Sequence, residues 1–161
     1  METLDINKAL PKEEKYKSLL PQIKGLISSE KDTIANLANV AAVIYESFDF
    51  LWVGFYLKKK NELVLGPFQG PLACTRIQYG RGVCGKSWEL NEPIIVPDVD
   101  QFQDHIACSS LSRSEIVIPF STPTYDVIIF DLDSEKLSDF DQIDERYLTQ
   151  VCQLLNQYCL E

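Results

Sequence analysis

Long apolar runs are missing from this sequence of 161 residues. Nowhere do the ~18 consecutive apolar residues of a transmembrane helix occur, and residues 1–17 are charged and lack the apolar stretch of a signal peptide. We therefore expect a cytoplasmic protein without a membrane partner. Low-complexity segments and internal repeats are missing as well, and a chain of this length can bury most of its apolar surface in one core. The sequence thus predicts a single domain over residues 1–161.

Positive charge is also scarce. Fifteen lysines and arginines stand against 24 acidic residues, which gives a net charge of -9. A chain with this charge repels phosphate backbones, and the lysines at positions 58–60 are typical of a solvated turn rather than of a nucleic-acid patch. We expect no nucleic-acid partner.

Apolar residues recur at three- and four-residue steps near both ends of the chain. They predict helices over residues 29–48 and 139–160, whereas residues 12–28 are predicted as a helix interrupted at Pro21, which lacks an amide donor. Between the helices, segments rich in branched and aromatic residues predict strands: FDFLWVGFYLK, ELVLGPF, PIIV, EIVIPF and YDVIIFDLDS. The first two predict a hairpin. This order predicts an α+β domain: a mostly antiparallel sheet, terminal helices on one face, and a site built from loops on the other.

Five cysteines are an odd number, so a complete framework of structural disulfides cannot be drawn. Cys152 and Cys159 fall on the last predicted helix, about 10 Å apart along its axis, which is too far to bridge and favours a packing role. Cys74, Cys84 and Cys108 lie in irregular segments, where no periodicity explains them. Because a reducing compartment keeps thiols free, a disulfide here would be catalytic or sensory rather than structural.

Two functional interpretations of the cysteine segments are weak. A zinc site could use the three thiols and His105, but the closely spaced pairs on which closed zinc sites are built do not occur, and we expect no metal and no cofactor. GRGVCG, residues 80–85, matches the dinucleotide pattern G-x-G-x-x-G, but the segment before Pro93 is too short for the helix of a βαβ unit. The glycines instead predict a tight loop before a short helix, whose N-terminus would favour the thiolate of Cys84.

His105 precedes Cys108 by three positions, and two interpretations stay open. Either the imidazole favours the thiolate of Cys108, as in cysteine nucleophiles, or it is an ordinary loop histidine near solvent. Asp131 and Asp133 alternate with Leu132 after the apolar run VIIF, so they face one side of the strand. If they are buried, each raises the pKa of the other and a proton stays bound. The alternative places both in water at the end of the strand.

Six segments together resemble the free methionine-(R)-sulfoxide reductases, which are built on a GAF domain, an α+β fold. These segments are WVGFYL (52–57), LVLGPFQGPLAC (63–74), GRGVCG (80–85), DHIAC (104–108), SEIVIPF (114–120) and DLDS (131–134). Three cysteines in these contexts distinguish the reductases from the GAF domains of sensors. Residues 1–28 match least and form an N-terminal helical extension. A homodimer stays open, because several GAF domains dimerise.

The resemblance implies an enzyme that reduces free methionine-(R)-sulfoxide with electrons from thioredoxin. It implies that Cys108 is the nucleophile that attacks the sulfoxide sulfur, and that Cys84 and Cys74 are resolving thiols. We favour Cys84 as the first resolving thiol, since nearby glycines would let its loop move. The resemblance also implies three acidic residues that hold and protonate the sulfoxide oxygen: Glu115, Asp131 and Asp133. It implies that Trp52 and Tyr56 are aromatic residues of the pocket, with Trp52 packing on the methyl end of the substrate.

Two positions depart from the family pattern. Ser109 stands where the family usually has aspartate, and Ile128 where it usually has glycine; neither carries a chemical role. The alternative function is a non-catalytic GAF module that senses redox state or binds a small ligand. A sensor normally signals through an attached output domain, for which we expect no room in this chain.

Overall fold

Four helices of the α type and six strands occur in the computed structural model, which describes residues 4–106 and 108–161. The helices are α1 (Lys12–Ser28), α2 (Thr33–Ser47), α3 (Gly82–Leu90) and α4 (Gln142–Tyr158). The strands are β1 (Trp52–Lys59), β2 (Glu62–Gln69), β3 (Arg76–Gln78), β4 (Ile94–Val96), β5 (Ser114–Phe120) and β6 (Ile128–Ser134). Residues 1–3 of the predicted N-terminal extension, and position 107 of the DHIAC segment, lie outside the described residues.

The six strands form one antiparallel sheet in the order β3-β2-β1-β6-β5-β4. β1 and β2 are the predicted hairpin. β6 lies between β1 and β5, so the strand that carries Asp131 and Asp133 is central in the sheet. The predicted α+β class with an antiparallel sheet is confirmed.

Side chains of the central strands alternate between two faces, as the period of a strand requires. The face toward α1, α2 and α4 is apolar and carries Val53, Phe55, Leu57, Ile116, Ile118, Ile128, Phe130 and Leu132. The opposite face, which we call the pocket face, carries Trp52, Tyr56, Glu115, Val117, Ile129, Asp131 and Asp133. Because the three long helices take the apolar face, the acidic residues are left to the face that α3 and the loops cover.

Two local predictions were wrong. α1 continues through Pro21 without a break, because its buried residues Tyr16, Leu19, Ile23 and Ile27 all lie on the side away from the exposed proline. Packing of that face outweighs the loss of one amide donor. β3 lies in a segment predicted as irregular; with one buried residue of three, Ile77, it shows no alternation to detect.

Within the described ranges, no helix is long and apolar enough to cross a membrane.

Candidate active site

A pocket opens on the pocket face of the sheet. Its floor is made by β1, β5 and β6, and its walls by α3 and by the loops that precede β3 and β5. Seven predicted site residues line it: Trp52, Tyr56, Cys84, Cys108, Glu115, Asp131 and Asp133. The eighth, Cys74, is covalently joined to Cys108. The structure thus brings together side chains from six separate segments of the sequence.

Strand register places three carboxyl groups side by side. Glu115 pairs with Asp133 across β5 and β6, and Asp131 faces the same side two residues earlier. Burial, and then the neighbouring carboxyl groups, raise the pKa of Glu115 and of Asp131 well above the usual range. Burial raises the pKa of Asp133 to about 6, although Ser112 Oγ donates to its Oδ1 at 2.5 Å and opposes this rise. All three carboxyl groups therefore retain a proton to higher pH than an exposed carboxyl group does, Glu115 and Asp131 most strongly.

Cys84 lies beside this cluster in the first turn of α3. It is 4% exposed, and its Sγ lies 4.0 Å from Glu115 Oε1, to which it donates. Burial and the carboxyl groups of Asp131 and Glu115 raise the pKa of this thiol well above its ordinary value. The expectation that the helix N-terminus favours its thiolate was therefore wrong, because loss of solvation and acidic neighbours outweigh the helix dipole.

Among the described residues, one group has donor atoms placed to hold a metal ion: Cys84, Glu115 and Asp131. Their ligand atoms lie within 4.8 Å of one another. The zinc site considered from the sequence would need the sulfurs of Cys74 and Cys108 as thiolates, and both are engaged in a disulfide. That no metal takes part stays a prediction.

The disulfide joins Cys74 to Cys108, whose Cα atoms lie 5.3 Å apart. It favours Cys74 over Cys84 as the partner of Cys108, against our expectation. We expected the glycines near Cys84 to make its loop mobile, but Gly85 has a packing role instead. A Cβ at Gly85 would lie 2.4 Å from the carbonyl oxygen of Gln78, so this glycine permits close packing of α3. The remaining cysteines of the described residues are free and buried: Cys84, Cys152 and Cys159.

Aromatic rings form the apolar wall of the pocket. Trp52 and Tyr56 lie 6.0 Å apart between ring centroids, and the indole stacks on Phe68 at 5.4 Å. Gly54 provides the space for the indole, since a Cβ there would lie 2.4 Å from Trp52 Cη2. The motif WVGFYL thus combines two pocket rings with the glycine that lets one of them lie along the strand.

Two buried polar atoms of the pocket residues have no hydrogen-bond partner in the part of the chain that the structure describes: Trp52 Nε1 and Asp131 Oδ1. An unpaired buried polar group costs about 1–3 kcal/mol, so such groups are normally satisfied. A polar ligand bound in the pocket would supply the missing partners. The cavity has a volume of about 40 Å³, which corresponds to a few water molecules.

His105 contacts the carboxyl cluster. Its Nε2 lies 3.8 Å from Glu115 Oε2, and burial lowers the pKa of His105, with Asp100 acting in the opposite direction. The imidazole is therefore neutral at pH 7, and the contact that the structure shows is with Glu115. A role in ionising Cys108 stays a prediction.

Ser112 and Arg81 also line the pocket, and neither was predicted. A loop hydroxyl or guanidinium has no periodicity that could single it out in one sequence. The hydrogen bond from Ser112 to Asp133 depends on the pairing of two strands that are distant in sequence.

Comparisons with known proteins find relatives that match nearly the whole chain, although no protein-family model matches it. GAF domain-containing protein A of Dictyostelium discoideum is 58% identical, over 96% of this chain and 98% of its own length. Free methionine-R-sulfoxide reductase of Escherichia coli is 42% identical, over 87% and 86%. The X-ray structure of free methionine-R-sulfoxide reductase from Neisseria meningitidis in complex with its substrate is 49% identical, with a TM-score of 0.94 over 99% of this chain and 96% of that one. Identity at this level over most of the chain shows that it belongs to the family of free methionine-R-sulfoxide reductases.

Proposed function

We propose that this protein reduces free methionine-(R)-sulfoxide to methionine, acting in the cytoplasm as a single GAF-like domain. The observation that carries the proposal is that Cys108 and three buried carboxyl groups, whose pKa values are raised by burial, line one pocket. A sulfoxide sulfur is a poor electrophile until its oxygen is protonated or strongly hydrogen-bonded, so a thiol nucleophile and an acid must flank the same bond. The similarity to a reductase crystallised with its substrate supports the choice of substrate.

In the first step, the sulfur of Cys108 attacks the sulfoxide sulfur while Glu115, with Asp131 beside it, donates a proton to the sulfoxide oxygen. The oxygen passes to Cys108, which becomes a sulfenic acid, and methionine is released as the thioether. The thiol proton of Cys108 replaces the proton that the carboxyl cluster donated. Cys84 supports this step as a protonated hydrogen-bond donor to Glu115 rather than as a redox thiol.

In the second step, the thiol of Cys74 attacks the sulfenic sulfur of Cys108 and water leaves. The product is the disulfide that the structure contains. Thioredoxin then reduces this disulfide by thiol exchange and restores both thiols. Trp52 and Tyr56 line the pocket, and Trp52 packs against the methyl end of the substrate. A homodimer is compatible with these steps without being needed for them.

The disulfide state leaves little room for substrate. A cavity of about 40 Å³ holds a few water molecules, whereas a free amino acid needs more space. We therefore expect the segments that carry Cys74 and Cys108 to separate when the disulfide is reduced. Calorimetric titration with methionine-(R)-sulfoxide, using Cys108→Ser to prevent turnover, should detect binding to this reduced variant and none to the oxidised wild type.

The activity is tested with free methionine-(R)-sulfoxide and excess dithiothreitol, by measuring methionine release. Wild-type protein should turn over, Cys108→Ser should not, and Cys152→Ser, a buried cysteine of α4 remote from the pocket, should act as the matched control. The S epimer and a peptide that contains methionine sulfoxide serve as substrate controls. No turnover of the R epimer by wild type would contradict the proposal and favour a redox-sensing GAF module.

The division of labour between the cysteines needs a separate measurement. After a single turnover without reductant, peptide mapping by mass spectrometry should find Cys74 bridged to Cys108. A Cys84–Cys108 bridge in its place would reassign the resolving thiol.

A further inference from the structure

Tyr56 contributes a ring to the pocket wall, but its hydroxyl points elsewhere. This hydroxyl donates to the backbone carbonyl oxygen of Cys74 at 2.9 Å. Tyr56 is 1% exposed and lies within β1, so its side chain is held by the sheet. We propose that Tyr56 is a positioning residue for the resolving step, because it fixes the backbone of Cys74 where the Cys74 thiol meets Cys108.

The backbone next to Cys74 is tied to the sheet twice in succession. Its own carbonyl accepts from Tyr56 of β1, and the carbonyl of Thr75 accepts from the amide of Leu65 in β2 at 3.0 Å. Two residues before Cys74, the side chain of Leu72 is 90% exposed and does not pack against the sheet. The hydrogen bond from Tyr56 therefore holds the backbone of Cys74 itself.

The segment that carries Cys108 is held differently. The amide of Cys108 donates to the carbonyl of Ile106, only two residues away, at 2.9 Å. The tie to the sheet comes later, where the amide of Arg113 donates to the carbonyl of Ser134 at 2.7 Å. Cys74 is therefore held by a direct hydrogen bond to the sheet, whereas the amide of Cys108 bonds within its own loop.

A fixed resolving thiol matters because disulfide formation tolerates little error in distance. The two Cα atoms must lie within about 4.4–6.8 Å, and here they are 5.3 Å apart. In this step the S–S bond forms and the S–O bond of the sulfenic acid breaks. The oxygen leaves as water with the thiol proton of Cys74; the sulfur of Cys108 is reduced and that of Cys74 is oxidised. Holding the attacking thiol in place raises its effective concentration at the sulfenic sulfur.

The inference rests on the proposed chemistry of Cys74 and Cys108, so its test bypasses methionine sulfoxide. One equivalent of hydrogen peroxide converts Cys108 of the reduced protein to the sulfenic acid. Quenched samples are then treated with dimedone and analysed by mass spectrometry, which gives the rate at which the sulfenic acid is lost and the Cys74–Cys108 disulfide forms. Tyr56→Phe keeps the ring and removes the donor, and we expect disulfide formation to slow by roughly 3- to 10-fold. With excess peroxide, more of Cys108 should reach the sulfinic acid, because that oxidation competes with resolution.

Two controls separate positioning from a general loss of structure. Tyr45→Phe removes an exposed hydroxyl from α2, remote from the pocket, and should resolve at the wild-type rate. 4-Aminophenylalanine at position 56 retains a donor and should restore resolution toward the wild-type rate. A wild-type rate for Tyr56→Phe, or equal slowing with phenylalanine and 4-aminophenylalanine, would overturn the inference. Failure of the reductase assay together with slowed resolution in Tyr56→Phe would instead reject the proposed function and retain the role of Tyr56.

Discussion

Asp144 and Glu115 are both buried carboxyl groups, but their surroundings differ. Asp144, in α4, is fully buried and accepts from Lys12 Nζ at 2.5 Å and from the Tyr16 hydroxyl at 2.8 Å. Glu115, 6% exposed, has no lysine or arginine within salt-bridge distance among the described residues; its nearest basic group is neutral His105. Burial alone therefore does not mark a functional acid, whereas burial without a permanent positive charge does.

The difference has an energetic meaning. The ion pair of Asp144 and Lys12 joins α4 to α1 and satisfies both side chains, so it supports the fold. Glu115 and Asp131 are buried beside each other and beside Asp133, an arrangement that favours bound protons and costs stability whenever they ionise. The first site stabilises the protein, and the second is suited to the proton donation that we propose for the sulfoxide oxygen.

Glu115→Gln should give the largest effect on catalysis. Loss of the proton donor should reduce the single-turnover rate of methionine release by roughly 100-fold or more. Stability in urea at pH 7 should be unchanged or higher, because glutamine keeps a neutral hydrogen-bonding group at this buried position and cannot ionise. Release of methionine by Glu115→Gln at the wild-type rate would show that Glu115, like Asp144, has no catalytic role.

Asp144→Asn should show the reverse pattern. It leaves the ammonium of Lys12 without its buried partner, so the free energy of unfolding should fall by about 2–4 kcal/mol. Methionine release at a temperature where the variant stays folded should match the wild type. Chemical denaturation and the activity assay should be run on this variant and on Glu115→Gln side by side. Lost activity with unchanged stability in Asp144→Asn would contradict the prediction.

Asp133→Asn should change how the stability of the protein depends on pH. The folded-state pKa of Asp133 is about 6, above the unfolded value of 3.8, so the native state binds this proton more tightly. Its contribution to stability is present below pH 3.8 and is lost as pH rises through 6. The asparagine variant should lose this part of the decline between pH 4 and 7, as measured by urea unfolding at several pH values. An identical pH dependence in the two proteins would show that Asp133 titrates normally.

His105→Ala should have the smallest effect, since the imidazole contacts Glu115 at 3.8 Å and is neutral. We expect methionine release to slow by less than roughly tenfold. Thiolate absorbance of Cys108, titrated against pH in a Cys84→Ser background, should change little. A clear rise in the thiol pKa of Cys108 would instead support the nucleophile and base pair considered from the sequence.

The period of the strands made much of the fold predictable. Alternation assigned Asp131 and Asp133 to one side of β6, and the structure confirms that both face the pocket. Alternation did not reveal β3, which has one buried residue. The expectation that Pro21 interrupts its helix was wrong, because tertiary packing of α1 outweighs the loss of one backbone hydrogen bond. Periodicity and local preferences are properties of neighbouring residues, so they predict elements well and their exceptions poorly.

The site was predictable in its membership and not in its protonation or pairing. Motif resemblance brought together the residues that line the pocket, including Trp52 and Tyr56. It did not show that Cys84 is a buried thiol beside Glu115, nor that Cys74 holds the position next to Cys108. These facts depend on register and packing between segments that are distant in the chain.

The sequence by itself determined which chemical groups are present, and through the two-residue period of β6 it determined that Asp131 and Asp133 share one face. Only the tertiary structure decided which acids have raised pKa values and which thiols meet. The physical reason is that a pKa depends on burial and on charges within a few ångströms, and a disulfide on the distance between two backbones. Both quantities are set when the loops close over the sheet.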